Sequence, residues 1–148
     1  MKTFTLTNEE AAKTGFTHKA IISYANGDFT AAATTQSWTL FTTAAGHIIK
    51  DAARKIVTNL AITGATTGGF ILGDGDDDDG YLTSASALGG ATPIAYQTGA
   101  GALLANTGGK VFTSAGSLIL KLTTDATSAA TTAGEIHVYW KVADLTKV

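Results

Sequence analysis

The stretch Glu135-Ile136-His137-Val138-Tyr139-Trp140-Lys141-Val142, close to the end of the chain, decides the fold class. Apolar side chains occupy every second position of this stretch: Ile136, Val138, Trp140 and Val142. Successive side chains of a β-strand point to opposite faces, so the alternation predicts a strand with one face on a core. The other face is free to meet solvent or a partner.

Several more strands are predicted upstream of this stretch. Leu118, Leu120 and Leu122 alternate with Ile119, Lys121 and Thr123, and a connector of small residues, 125–134, joins this segment to the C-terminal strand. Two alternating segments joined in this way predict an antiparallel pair. Earlier strands are predicted at 18–24, 36–42 and 70–72, with a turn at Asn26-Gly27-Asp28. The Ala-, Gly- and Ser-rich stretch 82–107 predicts long loops with one short strand or helix around residues 94–96.

Residues 47–60 allow two interpretations. Apolar residues recur there at helical spacing, with charged and polar residues between them, which on periodicity alone predicts an amphipathic helix. The segment nevertheless follows Ala44-Ala45-Gly46 directly after a predicted strand and lies within an otherwise all-β pattern. Local sequence therefore leaves helix and strand equally open for this segment.

Composition favours a β fold and excludes some functions. Of the 148 residues 45% are apolar and only 15% are charged, and the abundant Thr suits a half-buried pleated surface. The net charge is −2 without any cluster of Lys and Arg, so we expect no nucleic-acid binding. The chain has no cysteine, no recognisable signal peptide and no window long enough to span a membrane, so we expect a soluble protein made inside a cell.

The acidic loop, defined as residues 73–80 (Gly73-Asp74-Gly75-Asp76-Asp77-Asp78-Asp79-Gly80), places five carboxylates within six residues. An EF-hand starting at Asp74 would need glycine at its sixth position and glutamate at its twelfth, where the chain has Asp79 and Ala85. The favoured interpretation is a solvated loop at a strand end. The alternative is a Ca²⁺ site of another type with Asp74, Asp76 and Asp78 as ligands.

No residue pattern predicts catalysis. The sequence Gly108-Gly109-Lys110 is followed by valine, so the hydroxyl of a phosphate-binding loop is missing. His18, His47 and His137 are far apart, and none has a second ligand at metal spacing. We therefore expect no enzyme activity, no catalytic residues and no cofactor other than Ca²⁺.

Three residues are predicted to contact partners. Phe41 and Tyr139 alternate with core-facing neighbours and should point away from the core. His137 lies on the polar side of the C-terminal strand. These three side chains are the candidate interface residues.

Three segments carry a resemblance to a known group of proteins. They are residues 38–52 with Leu40-Phe41-Thr42 and Ala45-Gly46, residues 70–83 with the strand end Gly73-Asp74-Gly75, and residues 133–145. In order and content they resemble small structural proteins of tailed bacteriophages. The resemblance implies a β-sandwich of jelly-roll type that decorates or cements a capsid or forms part of a fibre. It favours a strand for residues 47–57 and implies no catalytic residues.

These observations lead to one set of expectations. The fold is expected to be an all-β, jelly-roll-like antiparallel β-sandwich with long Ala/Gly/Thr-rich loops, in one domain spanning 1–148 with residues 1–15 as a candidate N-terminal arm. The resemblance implies a virion protein on the capsid surface that binds the major capsid protein and forms a homo-oligomer, with a trimer favoured. The alternative is a head-fibre or tail module that recognises carbohydrate with the help of Ca²⁺.

Overall fold

The computed structural model of the protein describes residues 1–88, 97–98, 101–105 and 108–147. In these residues the strands are β1 (Lys2–Thr5), β2 (His18–Ser23), β3 (Thr35–Thr43), β4 (His47–Ile62), β5 (Gly68–Gly73), β6 (Leu82–Ser86), β7 (Gln97–Thr98), β8 (Lys110–Val111), β9 (Gly116–Thr124) and β10 (Thr131–Asp144). The helices are α1 (Asn8–Thr14) and α2 (Ala102–Ala105). Short 3-10 helices occupy Tyr24–Asn26, Ser128–Ala130 and Leu145–Lys147.

The strands pair in the nested order of a jelly roll. Sheet A has the order β1-β2-β10-β4-β7, with β8 also paired to β4, and sheet B has the order β3-β9-β5-β6. From the two ends of the chain inward, β2 pairs with β10, β3 with β9, β4 with β7 and β8, and β5 with β6, all antiparallel. Successive pairs fall in opposite sheets, as when one long hairpin is rolled up. The predicted antiparallel, jelly-roll-like sandwich is confirmed.

The hydrophobic core lies between the two sheets. Sheet B contributes three fully buried leucines from β9: Leu118, Leu120 and Leu122. Sheet A contributes three residues of β10 that the alternation predicts to face inward: Ile136, Val138 and Trp140, each at most 1% exposed. Full burial of such a side chain stabilises a fold by roughly 1.5–3 kcal/mol, so these two strands supply much of the driving force.

Strand β4 resolves the ambiguity of residues 47–60 in favour of a strand. It lies inside sheet A, with β10 on one side and β7 and β8 on the other. Three consecutive residues, Ala52, Ala53 and Arg54, are at most 1% exposed, so side chains on both faces of this strand are covered. Burial on both faces removes the simple alternation of a half-buried strand, which is why the local pattern also fits a helix.

Two sequence-based predictions are wrong. Strands β9 and β10, predicted as an antiparallel pair, lie in different sheets, because β9 pairs with β3 and β5 whereas β10 pairs with β2 and β4. The connector 125–134 crosses between the sheets, so the alternation of both strands reflects the core they share. Within the predicted loop region 82–107, Leu82–Ser86 is strand β6. The element predicted around residues 94–96 lies outside the described residues.

The first 15 residues form an edge strand of sheet A followed by an exposed helix. Strand β1 pairs with β2 over its whole length. Helix α1 begins with a capping box, in which Oγ1 of Thr7 accepts the N–H of Glu10 and the Glu10 carboxylate accepts the N–H of Thr7. It ends at Gly15, whose φ of 79° suits glycine. No helix in the described part of the chain is long and apolar enough to cross a membrane. That residues 1–148 form one domain stays a prediction.

Candidate functional site

The acidic loop begins with Asp74, whose side chain turns into the protein. The N–H groups of Asp76 and Asp77 donate to Oδ1 of Asp74 at 2.9 and 3.2 Å, and the N–H of Asp74 donates to the carbonyl of Asp77 at 2.9 Å. These bonds close a tight turn of the kind that aspartate favours. Glycine is required before it, because a Cβ at Gly73 would overlap the main chain of Asp77 and Asp78.

Asp74 also connects the acidic loop to two other segments. The hydroxyl of Tyr81 donates to Oδ2 of Asp74 at 3.2 Å, and Nζ of Lys110 lies 3.1 Å from the same oxygen. Tyr81 is fully buried, and burial together with the charge of Asp74 raises the pKa of Tyr81 far above its usual value. The phenol therefore stays protonated and acts as a donor. Asp74 is a structural anchor whose oxygens are already occupied by donors of the protein.

The neighbouring carboxylates pair with lysines on the surface. Lys110 also contacts Asp76, and this hydrogen bond and the lysine charge lower the pKa of Asp76. Burial opposes the charged form of Lys110, but the hydrogen bonds and charges of Asp76 and Asp74 outweigh it and raise the pKa of this lysine. Asp78 lies 2.7 Å from Nζ of Lys121 in β9. Asp76 and Asp78 therefore face different lysines.

The predicted Ca²⁺ ligands do not converge on one point. Asp74 and Asp76 both contact Lys110, whereas Asp78 pairs with Lys121 in another strand. Across the described ranges, no group of three or more His, Cys, Asp or Glu side chains is placed to hold a metal ion. Binding of Ca²⁺ by this loop stays a prediction.

The outer surface of sheet B is almost free of charge. We define the sheet B face as the outward positions of β3, β5 and β9: Ser37, Thr39, Gly69, Ile71, Ile119, Lys121 and Thr123. Lys121 is the single charged residue in the strands β3, β5, β6 and β9, and Asp78 pairs with it. Depletion of charge is typical of the core of a protein–protein interface.

Phe41 does not point away from the core as predicted. A bulge between Thr39 and Phe41 shifts the register of β3 against β9 and reverses the alternation at this point. Phe41 is partly buried against the core, with its ring 4.9 Å from that of His18 and 5.8 Å from that of His47. The predicted orientation is wrong, and the interface role of Phe41 stays a prediction.

His137 and Tyr139 lie on the outer face of sheet A, as the alternation predicts. Tyr139 is only 8% exposed, because the ring of Phe16 packs against it at 5.8 Å and the ammonium group of Lys19 lies 5.4 Å from its ring centre. Nε2 of His137 lies 2.8 Å from a carboxylate oxygen of Glu135. The interface roles of both residues stay predictions.

The sequence does not predict a cluster of aromatic rings that the structure forms from two histidines, Phe41 and Trp140. His18 stacks on Trp140 with ring centres 5.4 Å apart and an angle of 15° between the planes. Phe41 contacts both rings, and His47 stacks on Phe41. Burial, with a smaller contribution from His47, lowers the pKa of His18. These residues come from four different strands, so no spacing in the sequence could reveal the cluster.

Arg54 is a buried charged residue. In the sequence it stands among the charged and polar residues of 47–60, and nothing there distinguishes it from its neighbours. Its side chain is directed across the core, and its guanidinium donates to the carbonyls of Phe70 and Thr83, the latter at 2.8 Å. Burial lowers the pKa of Arg54 to about 10, so the group is still charged at neutral pH. Arg54 thereby joins β4 of sheet A to β5 and β6 of sheet B.

The jelly-roll fold is shared with a chain from a phage capsid structure. No family model matches the chain, and no curated protein sequence matches it. A chain of the solved "acidic stable capsid structure of Helicobacter pylori bacteriophage KHP30" is similar, with a TM-score of 0.51 and 15% sequence identity. The similarity covers 84% of this chain and 87% of that chain. The two chains thus have a common fold over most of their length.

Proposed function

We propose that the protein is a structural component of a bacteriophage virion, which decorates or cements the capsid without enzymatic activity. The observation that carries this proposal is the fold shared with a chain of the KHP30 capsid structure. Because nearly equal fractions of both chains are covered, the likeness concerns a protein of similar length and not one domain of a much larger chain. The resemblance of three sequence segments to small structural proteins of tailed phages supports the same role.

The chemistry of the described residues is consistent with a non-enzymatic role. Asp74, Asp76 and Asp78 of the acidic loop are used in ion pairs, and the described side chains form no group of three or more that could hold a metal ion. A stiff β-sandwich with a face of low charge is suited to packing against flat protein surfaces. These features support a protein that acts through protein–protein contacts of its surface.

The partners in this proposal are the major capsid protein and further copies of the chain. A symmetric homo-oligomer, with a trimer favoured, would sit on the outside of the capsid. Each contact can then be weak, because many copies on one shell bind together and multiply the effect of a single contact.

The alternative, a carbohydrate-binding fibre or tail module dependent on Ca²⁺, has less support. Asp74 and Asp76 share Lys110, and Asp78 pairs with Lys121, so each of the three proposed ligands already contacts a cation of the protein. A metal ion held by these three side chains would have to compete with both lysines for the carboxylate oxygens.

Binding to empty capsids tests the proposed function. Purified protein is mixed with capsids of the phage that encodes it, assembled without the protein, and the mixture is separated on a density gradient. We expect saturable co-sedimentation and a higher melting temperature of the decorated shell, because a ligand that binds only the assembled state stabilises it. Capsids of an unrelated phage serve as the control. Failure to bind at saturating concentration would refute the proposal, and light scattering on the free protein tests the trimer.

A further inference from the structure

A cavity of about 390 Å³ lies between the acidic loop, β8 and the segment 112–117 that leads into β9. The acidic loop contributes Gly75 and Asp76 to its lining, and β8 contributes Lys110 and Val111. The ion pairs of Lys110 with Asp74 and Asp76 hold the acidic loop against β8 and so define the cavity. Small-molecule sites in proteins have volumes of roughly 300–1,000 Å³, so this cavity has room for a small ligand.

Asp76 and Lys110 offer an acceptor and a donor side by side in this cavity. The ammonium group of Lys110 has three N–H donors, and its hydrogen bonds to Asp74 and Asp76 use two of them. The bond to Lys110 occupies only Oδ2 of Asp76, whose side chain is 83% exposed. Within the described ranges, Oδ1 of Asp76 forms no hydrogen bond. One carboxylate oxygen and one ammonium proton are therefore left for a ligand.

The rest of the lining combines hydroxyl groups with a small apolar surface. Thr113, Ser114 and Ser117 line the cavity, and their hydroxyls form no hydrogen bond in the part of the chain that the structure describes. The apolar part consists of Val111, which is 47% exposed, and the half-buried Ile119. This mixture matches a ligand that carries several hydroxyls on an aliphatic frame.

We propose that the cavity binds a neutral saccharide without a metal ion, and that Asp76 and Lys110 recognise two adjacent hydroxyls of one sugar ring. A hydroxyl can both donate and accept, so one hydroxyl donates to Oδ1 of Asp76 while its neighbour accepts from Nζ of Lys110. Hydrogen bonds to charged groups are the stronger ones, so this pair orients the sugar. The C–H groups of the ring then lie against Val111. Lys110 supplies the cation that a calcium ion supplies in metal-dependent sugar sites.

The charge of the acidic loop selects against acidic ligands. Five carboxylates contact only two lysines, Lys110 and Lys121, so the potential around the cavity is negative and repels phosphates and acidic sugars. Phe112, an aromatic residue of the lining, is only 6% exposed and offers no open ring face for stacking. A single site is therefore weak. Many copies on one virion would multiply its effect, and this step alone rests on the proposed function.

Nuclear magnetic resonance of the free protein tests the site. Methyl glycosides of glucose, galactose, mannose and N-acetylglucosamine are titrated to tens of millimolar into ¹⁵N-labelled protein in buffer with EDTA. We expect saturable shifts of the amide signals of Gly75, Asp76 and residues 110–117 with at least one glycoside. The proposal is overturned if no glycoside gives saturable shifts there, or if glycerol gives the same shifts. It is also overturned if inorganic phosphate or ethanolamine shifts these signals and the glycosides do not.

Two substitutions in the acidic loop provide a matched pair for the role of Asp76. Asp76→Asn should weaken binding of the responsive glycoside about tenfold, because the charged acceptor is lost. Asp79→Asn removes the same charge from the same loop, at a residue that does not line the cavity. It should change the affinity by no more than about twofold, because a neutral ligand responds little to a charge outside the site. Equal losses in the two variants would refute recognition by Asp76.

A blocking variant tests the cavity independently of its charges. Gly75 lines the cavity, and a Cβ at this position meets no atom within 4 Å, so Gly75→Leu should fold normally and abolish binding. The control Ser37→Leu adds the same side chain at an exposed position of β3 outside the cavity and should bind normally. Unchanged binding by Gly75→Leu would overturn the location.

The two proposals fail separately. If the protein binds capsids but no glycoside, only the saccharide site is refuted. If it binds a glycoside but no capsid, only the proposed function is refuted.

Discussion

The ammonium group of Lys110 lies 3.1 Å from Oδ2 of Asp74, a carboxylate whose side chain is 1% exposed. Lys110 belongs to β8 of sheet A, and Asp74 follows β5 of sheet B, so this ion pair joins the two sheets at one end of the sandwich. The hydroxyl of Tyr81 donates to the same carboxylate oxygen from within the core. The acidic loop is therefore held in place by its first aspartate, while the later ones remain at the surface.

Removal of Lys110 tests this anchor. We expect Lys110→Met to lower the free energy of unfolding by about 2–3 kcal/mol, because Asp74 would stay buried without its cation. Lys121→Met is the matched control, since its partner Asp78 is 64% exposed and the pair should contribute less than about 1 kcal/mol. Urea denaturation followed by tryptophan fluorescence measures both variants. Equal losses would contradict the anchoring role of Lys110.

Two glycines of the acidic loop should respond differently to substitution. A Cβ at Gly73 would overlap the main chain of Asp77 and Asp78, whereas a Cβ at Gly75 meets no atom within 4 Å. We expect Gly73→Ala to cost at least about 2 kcal/mol and Gly75→Ala to change stability by no more than about 0.5 kcal/mol. Thermal melting of the two variants measures the difference. A neutral Gly73→Ala would show that the turn can open without cost.

The strands of the core could be predicted from the sequence because their alternation records which side chains face the core. The same alternation does not identify the neighbouring strand. β9 and β10 follow each other with matching patterns, yet each pairs with strands far away in the chain, because in a jelly roll the connector crosses between sheets. Which strands pair depends on the topology of the whole chain, so the hydrophobic alternation within one strand cannot predict its neighbour.

The site was harder to predict than the fold because its contacts join distant parts of the chain. Asp74 and Tyr81 are near neighbours in the sequence, but Lys110 reaches Asp74 from the other sheet, and Lys121 reaches Asp78 from β9. The bulge in β3 that turns Phe41 inward leaves no mark in the sequence. The spacing of the aspartates in the sequence excludes an EF-hand. It cannot predict which lysine forms an ion pair with which aspartate.

Arg54 should be more sensitive to the shape of its head group than to its charge. Its guanidinium donates to the carbonyls of Phe70 and Thr83 on two strands of the opposite sheet. We expect Arg54→Lys to lose about 2 kcal/mol of stability, because a single ammonium group cannot reproduce this fork of donors. Amide hydrogen exchange should also become faster in β5 and β6. The control Lys50→Met, at an exposed position of the same strand, should stay within about 0.5 kcal/mol of the unsubstituted protein.

Stability should fall as the pH is lowered towards 5 because of His18. Burial and the neighbouring His47 lower the pKa of His18 from its usual value of 6.5. Below pH 6.5 the unfolded chain takes up a proton that the folded chain resists, so the contribution of neutral His18 is complete above this pH. It is then lost as the pH falls through the lowered pKa of the folded state.

His18→Phe tests this pH dependence, since it keeps a ring against Trp140 and removes the titrating group. We expect a smaller slope of unfolding free energy against pH between 7 and 5 for this variant. His137, whose pKa is also lowered mainly by burial, contributes with the same sign in both proteins. The lowered pKa values of Asp125 and Asp144 affect a separate range below about pH 4. Parallel curves for the two proteins between pH 7 and 5 would contradict the assignment to His18.

Addition of Ca²⁺ decides between the two interpretations of the acidic loop. We expect millimolar Ca²⁺ to leave the melting temperature unchanged within about 1 °C, because Asp74, Asp76 and Asp78 are already paired with Lys110 and Lys121 and do not meet at one point. A specific site at tenfold saturation would instead stabilise the protein by about 1.4 kcal/mol and raise the melting temperature by several degrees. Mg²⁺ at the same concentration controls for ionic strength. A rise with Ca²⁺ alone that disappears in Asp76→Asn/Asp78→Asn would establish the calcium site and revive the carbohydrate-binding alternative.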